Sequence, residues 1–230
     1  MTEFSYDDVA EKKEVTTTTS SGSSSSWDDK QYTKKALDPF EMRPESEVPK
    51  TFAISGWFKD DNHTAGKMVQ KTVGALSDKG YTLRMAAQEV ASVIGKAAAS
   101  ANPPMIIYLP WKKFEPKEVQ IKEEYISDVT PSEEAYEYAA YFIENFNELS
   151  NGIKTFNAAV VQAMLGDDLK SPVSMVILHT WGRETELKDI NDKTNRTSVL
   201  MIKIAEAVNI PVYNLNDKNS RESLANFINS

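Results

Sequence analysis

Thr51-Phe-Ala-Ile-Ser55-Gly56, Tyr81-Thr-Leu-Arg-Met85 and Met105-Ile-Ile-Tyr-Leu109 are the stretches that decide the fold. Each is an apolar run of strand length, and a helical pattern fills each gap. Met68, Val69, Val73 and Leu76 recur at three- and four-residue spacing over 65–76, and Gly80 supplies a stop. The alanine-rich 88–99 fills the second gap and breaks at Asn102-Pro-Pro104. Strand, helix, strand in this order predicts a parallel sheet built from βαβ units. The runs read as apolar rather than as clean alternations, as in strands covered by helices on both faces.

The pattern continues downstream. After an irregular charged segment, 111–130, a helix is expected over 132–149, with Tyr136, Ala139, Ala140, Ile143 and Phe146 on one face. A second helix runs over 154–165 and stops at Gly166. A strand over 173–178, a charged loop over 181–194, a helix over 196–208, a strand over 210–213 and a terminal helix over 220–228 complete the chain. The expectation is an open, doubly wound, Rossmann-like α/β domain over residues 50–230, with a mainly parallel sheet of about five or more strands. Five strands are too few for an eight-stranded barrel.

Residues 1–49 read differently. The run Thr16-Thr-Thr-Thr-Ser-Ser-Gly-Ser-Ser-Ser-Ser26 cannot bury enough apolar surface to offset its ordering entropy, so a disordered, acidic, Ser/Thr-rich tail is expected. The sharper alternative is a docking arm for a protein partner, with Trp27, Tyr32, Phe40 and Met42 as spaced anchors.

Composition removes several function classes. With no cysteine and only His63 and His179, thiolate chemistry is impossible and a transition-metal site is not expected; no cofactor is assigned. A net charge of −8 argues against general DNA binding. No apolar run reaches membrane-spanning length and no signal peptide follows Met1, so a cytoplasmic protein is expected.

Ligands of doubly wound sheets bind beyond the carboxyl ends of the strands. Four loops meet that description: Ser55-Gly56-Trp57, 84–87 from Arg84, Trp111-Lys112-Lys113, and 180–183 with Trp181 and Arg183. Arginine and lysine beside three tryptophans suit a phosphate-bearing ligand with a flat base. Against this stands the bland reading, solvated loop charges and tryptophans covering helix ends. Asp60-Asp61 reads as a helix cap before a cation site, Asp167-Asp168 as a solvated turn, and His179 as hydrogen-bonded structure before a general base. Asn62-His-Thr64 and Asn195-Arg-Thr197 match glycosylation sequons that have no meaning without secretion.

The segments Gly80-Tyr-Thr-Leu-Arg84, Ile106-Ile-Tyr-Leu-Pro-Trp-Lys-Lys-Phe114, Met164-Leu-Gly-Asp-Asp-Leu-Lys-Ser-Pro-Val173 and Ile204-Ala-Glu-Ala-Val-Asn-Ile-Pro-Val-Tyr-Asn-Leu215 resemble, in order, the short phage-encoded DprA-like proteins of the SLOG superfamily. The resemblance spans about 51–215 and implies a Rossmann-like nucleotide site at Arg84, Asn157 and Thr197, and self-association into a homo-oligomer. Three departures weaken the implied chemistry. Met85-Ala-Ala87 stands where the family has glycines, Asn195-Arg196 precedes Thr197 in place of a glycine pair, and Phe156 replaces the arginine before Asn157. A β-carbon at such glycines restricts close backbone approach to phosphate.

The expectation is therefore non-catalytic binding of a nucleotide or nucleotide-derived molecule by a degenerate domain, in a phage setting and the host cytoplasm. The expected ligand residues are Ser55, Gly56, Trp57, Arg84, Trp111, Lys112, Asn157, Trp181, Arg183, Arg196 and Thr197. The first alternative is a virion-associated scaffold that uses the arm for protein contacts and binds no ligand. The second is a nucleotide N-glycoside hydrolase.

Overall fold

The computed structural model describes residues 30–59, 62–115, 121–190 and 195–230. Five strands, β1 (Thr51–Gly56), β2 (Thr82–Ala86), β3 (Met105–Tyr108), β4 (Met175–His179) and β5 (Val212–Asn214), form one sheet in the order β3-β2-β1-β4-β5. Every pairing is parallel. The chain winds outward from β1 through β2 to β3, then crosses back to place β4 on the other side of β1. The topological switch point is thus the β1–β4 seam, where a doubly wound sheet opens its crevice.

Among the described residues seven α-helices connect and cover the strands: α1 (His63–Asp78), α2 (Ala87–Val90), α3 (Val93–Ala99), α4 (Glu133–Phe142), α5 (Asn151–Leu165), α6 (Arg196–Ala207) and α7 (Lys218–Asn229). Helix α1 starts where Asn62 Oδ1 accepts the Ala65 N–H at 3.1 Å, and it turns Ala65, Val69, Val73 and Leu76 inward. One face of the sheet offers Phe52, Ile54, Leu83, Met85 and Ile177 to α1, α3 and α7. The other offers Ala53, Ala86, Tyr108, Val176 and Leu178 to α4, α5 and α6. Both faces are covered, which is why the strands lack polar alternation. Among the described residues no helix is long and apolar enough to cross a membrane.

Two expected helices are shorter than their patterns. The helix expected over 88–99 is split, because Ser92 turns extended and caps α3 by accepting the Gly95 N–H at 3.1 Å. The helix expected over 132–149 ends at Phe142, where Ile143 becomes extended and Asn145 takes φ 53°. Asparagine tolerates that left-handed conformation better than most residues, so apolar periodicity alone runs past the stop.

The expected disordered tail needs a correction over its second half. Residues Gln31–Ser230 form one compact unit, so the boundary lies near 31 rather than 50. Tyr32 stacks on Tyr136 with ring centroids 4.6 Å apart. Lys35 pairs with Glu134, Leu37 joins the α4–α5–α6 core, and Arg43 pairs with Asp168 at 2.9 Å. The physical reason is that α4 leaves an aromatic face uncovered by the sheet, and a segment with Tyr32 and Leu37 can cover it. The Ser/Thr run and Trp27 lie outside the described residues, as do Asp60 and Asp61. Of the other two anchors, Met42 packs at the edge of that core while Phe40 is 96% exposed.

Candidate functional site at the carboxyl rim

Glu89 is the residue around which the rim is built. It lies in α2, directly beyond β2, and is 5% exposed. The Ser55 hydroxyl, near the end of β1, donates to its Oε2 at 3.3 Å, and the Thr197 hydroxyl at the start of α6 acts on the same carboxyl group. Ser198 Oγ lies 3.2 Å from Ser55 Oγ. Four side chains from β1, α2 and α6 thus meet at the switch point. Burial pushes the Glu89 carboxyl up to about 7, against the lowering effect of the Thr197 and Ser55 hydroxyls.

Local backbone chemistry fixes this cluster. The Glu89 carbonyl accepts from the Ser92 N–H at 3.0 Å and the Ser92 hydroxyl at 2.6 Å, which ends α2. Gly95 lets α3 press against that carbonyl, since a β-carbon there would lie 1.9 Å from the Glu89 oxygen. Gly56 plays the matching part at the β1–β4 seam. Its φ is 135°, and a β-carbon would lie 2.3 Å from the His179 carbonyl oxygen.

Beyond the seam stand two exposed tryptophans. Trp57 and Trp181 have ring centroids 6.3 Å apart at 37°, and the Trp57 N–H donates to the His179 carbonyl at 2.9 Å. The loop carrying Trp181 is held by a buried polar knot. The Thr180 hydroxyl donates to Glu184, and Asn214 Nδ2 donates to Thr180 Oγ1 at 2.6 Å and to the Glu184 carbonyl at 2.9 Å. His179 is buried with its ring edge-on to Phe58 at 5.2 Å, and burial holds its imidazole below the ordinary value.

The expected site residues divide. Ser55, Gly56, Trp57, Trp181 and Thr197 gather at the switch point, with Arg183 exposed on the same loop at φ 63° and Arg196 exposed beside Thr197. Trp111 belongs to a second aromatic group, 5.0 Å from Phe114 and 5.5 Å from Phe156 by ring centroids, and Lys112 beside it is exposed. Asn157 turns its Nδ2 back to the Ile153 carbonyl of its own helix at 2.9 Å. Gln88 Nε2 donates to the Phe156 carbonyl at 3.3 Å, which ties this second group to α2.

Arg84 is not on the rim. It sits inside β2, paired with Ala53 and Ile106, is 4% exposed, and donates from Nη1 to the Ser171 carbonyl at 2.7 Å. The strand runs on to Ala86 and α2 starts at Ala87, so the loop expected over 84–87 is strand passing directly into helix. The α6 N-terminus is also engaged: Asn195 Oδ1 accepts from the Thr197 and Ser198 N–H groups at 2.8 and 3.3 Å. The expected joint grip of Arg84 and α6 on one phosphate therefore has no counterpart in the geometry.

Sequence reasoning missed Glu89 and Ser198. The usable signal was a lone acid inside the apolar run 85–91, where a charged residue must be either solvated or held by partners. A surface cavity of about 260 Å³ lies between α1 and α3, lined by Phe58, Asn62, His63, Lys67, Gln70 and Val93 among others, and contains none of the expected residues. Among the described residues no group of three His, Asp or Glu side chains is placed to hold a metal. No family model, no curated protein and no solved structure matches the chain.

Proposed function

We propose that the chain binds a nucleotide-type small molecule at the β1–β4 switch point without turning it over, as a degenerate SLOG-type domain of phage origin. The observation that carries this reading is the buried Ser55–Glu89–Thr197–Ser198 cluster beside the exposed Trp57–Trp181 pair. A carboxylate has about four lone-pair sites. The Ser55 donor and the nearby Thr197 hydroxyl leave room for the hydroxyl or N–H donors of a ribose or a base. Aromatic faces beside them suit a flat ring.

The test is calorimetric titration with a panel of nucleosides and nucleotides, on wild type, Trp181→Ala and Glu89→Gln. The reading expects saturable binding that both substitutions weaken, with no product released. Release of free base that Glu89→Gln abolishes would instead establish an N-glycoside hydrolase.

The exposure of Phe40 at 96% and Tyr141 at 48% favours a second reading, a scaffold whose aromatic surface and arm meet protein partners, as in a virion. That reading expects no heat of binding with any member of the panel.

A further inference from the structure

We propose that Phe40 of one copy of this chain seats in the cavity between α1 and α3 of a second copy, joining the two head to tail. The inference rests on the arm contacts of the second reading and names their partner; it needs no ligand at the switch point.

A lone exposed apolar side chain is ordinary on a protein surface. Phe40 differs in how firmly it is held out. It is 96% exposed, yet it stands in a closed 3-10 turn over Pro39–Glu41. Asp38 Oδ1 accepts the Phe40 N–H at 2.9 Å. The Asp38 and Pro39 carbonyls accept from the Glu41 and Met42 N–H groups at 3.1 and 3.3 Å. Leu37 is buried on one side of the turn, and Arg43 is bound to Lys170 and Asp168 on the other. A ring positioned in advance loses little conformational freedom on docking, and aromatic anchors dominate binding energy.

The same chain carries a seat for a phenyl ring. The cavity between α1 and α3 measures about 260 Å³, and an apolar cavity of about 150 Å³ is enough to hold benzene. Phe58 is buried there and Val93 and Ala97 are half-buried, while Asn62, His63 and Lys67 are exposed at the lip. An apolar floor inside a polar rim is the layout of an interface anchor pocket.

Charge matches the two surfaces. Asp38, Glu41, Glu45 and Glu47 are exposed over 38–49, and the one basic residue among them, Arg43, is taken by Asp168. Around the cavity, α1 and α3 expose Lys67, Lys71 and Lys96 against Asp78 alone. A basic face on a chain of net charge −8 is thus offered to an acidic turn. Leu37 and Met42 pack on the α4–α5–α6 side of the sheet, whereas Phe58, Val93 and Ala97 belong to the other side. Ring and seat lie on opposite faces, so the contact repeats head to tail instead of closing as a two-fold dimer. With one ring buried per contact, each link is weak and forms at high protein concentration.

Sedimentation velocity of the full chain over a range of concentrations is the test. The average mass should rise past that of a dimer and should fall with added salt, which screens the charged rim. Phe40→Ser and Gly66→Leu should each weaken the association by about tenfold or more. Both variants should fold, since Phe40 touches solvent and a β-carbon on Gly66 makes an ordinary 3.8 Å contact with the Phe58 ring. Phe40→Ser keeps the seat and Gly66→Leu keeps the ring, so an equimolar mixture should form a one-to-one dimer and nothing larger. A wild type that is monomeric at millimolar concentration, or that stops at two copies, overturns the proposal. So does either variant associating like wild type, or a mixture without the dimer. Heats with the nucleotide panel decide the second reading and Phe40→Ser should not change them, so the two readings fail separately.

Discussion

Arg84 Nη1 and the Ser171 carbonyl, 2.7 Å apart, tie the middle of β2 to the turn between α5 and β4. The same turn is held from outside by Arg43, whose N–H donates to the Lys170 carbonyl at 2.8 Å and whose guanidinium pairs with Asp168 at 2.9 Å. Gly166 makes room inside, since its missing β-carbon would sit 3.1 Å from Arg84 Nη1. Two arginines from distant parts of the chain thus clamp one turn. Arg84→Ala should cost about 2–3 kcal/mol of stability through the orphaned carbonyl and the lost packing. Urea unfolding measures it. A variant that keeps its stability but loses a rim ligand would return Arg84 to the site.

The arm over 31–49 should behave as part of the domain. Burial of Leu37 contributes about 1.5–3 kcal/mol and the Tyr32–Tyr136 stack about 0.5–1.5, whereas the exposed ion pairs contribute little. A chain starting at residue 50 should therefore unfold several degrees below one starting at residue 30. Equal midpoints for the two truncations would show that the arm's contacts carry no stability.

The sheet and its helices were legible because apolar runs and helical spacing report burial directly. Phe52, Ala53 and Ile54 in β1 and Met105–Tyr108 are continuous apolar runs, and α1 shows its buried stripe at Ala65, Val69, Val73 and Leu76. Less legible was whatever depends on a partner distant in sequence. Arg84 reads as a rim cation until its partner, 87 residues on, is known. Glu89 reads as one polar position on an alanine-rich helix until Ser55 and Thr197 close on it. Tyr32 reads as part of a tail until Tyr136 lies under it.

Gly95 offers a test in which local and tertiary effects have opposite signs. Glycine in a helix interior is about 1 kcal/mol worse than alanine, so Gly95→Ala should stabilise an isolated α3. In the folded chain the new β-carbon would lie 1.9 Å from the Glu89 carbonyl, a backbone atom that cannot swing aside. Net destabilisation by about 1–3 kcal/mol is expected, as for other overpacked sites. The variant should also weaken any ligand held by Glu89. A more stable variant would mean that α3 does not press on α2.

Glu89 gives the domain a pH dependence of defined sign. Burial raises its carboxyl from the ordinary 4.5 to about 7, so the folded protein holds this proton more tightly than the unfolded chain. Its contribution is full below pH 4.5, falls as pH rises towards 7, and is gone above that. The span corresponds to about 3 kcal/mol. His179 slopes the other way, because burial lowers its folded value, and its stabilising contribution is lost as pH falls. Wild type alone would therefore mix the two slopes, and the difference between wild type and Glu89→Gln isolates the carboxyl. Glutamine keeps the shape and can still meet Ser55 and Thr197, whose hydroxyls rotate to accept. The variant should match wild type near pH 5 and exceed it by up to about 3 kcal/mol at pH 8, read from urea unfolding at each pH. A constant difference across that range would place the Glu89 carboxyl in contact with water.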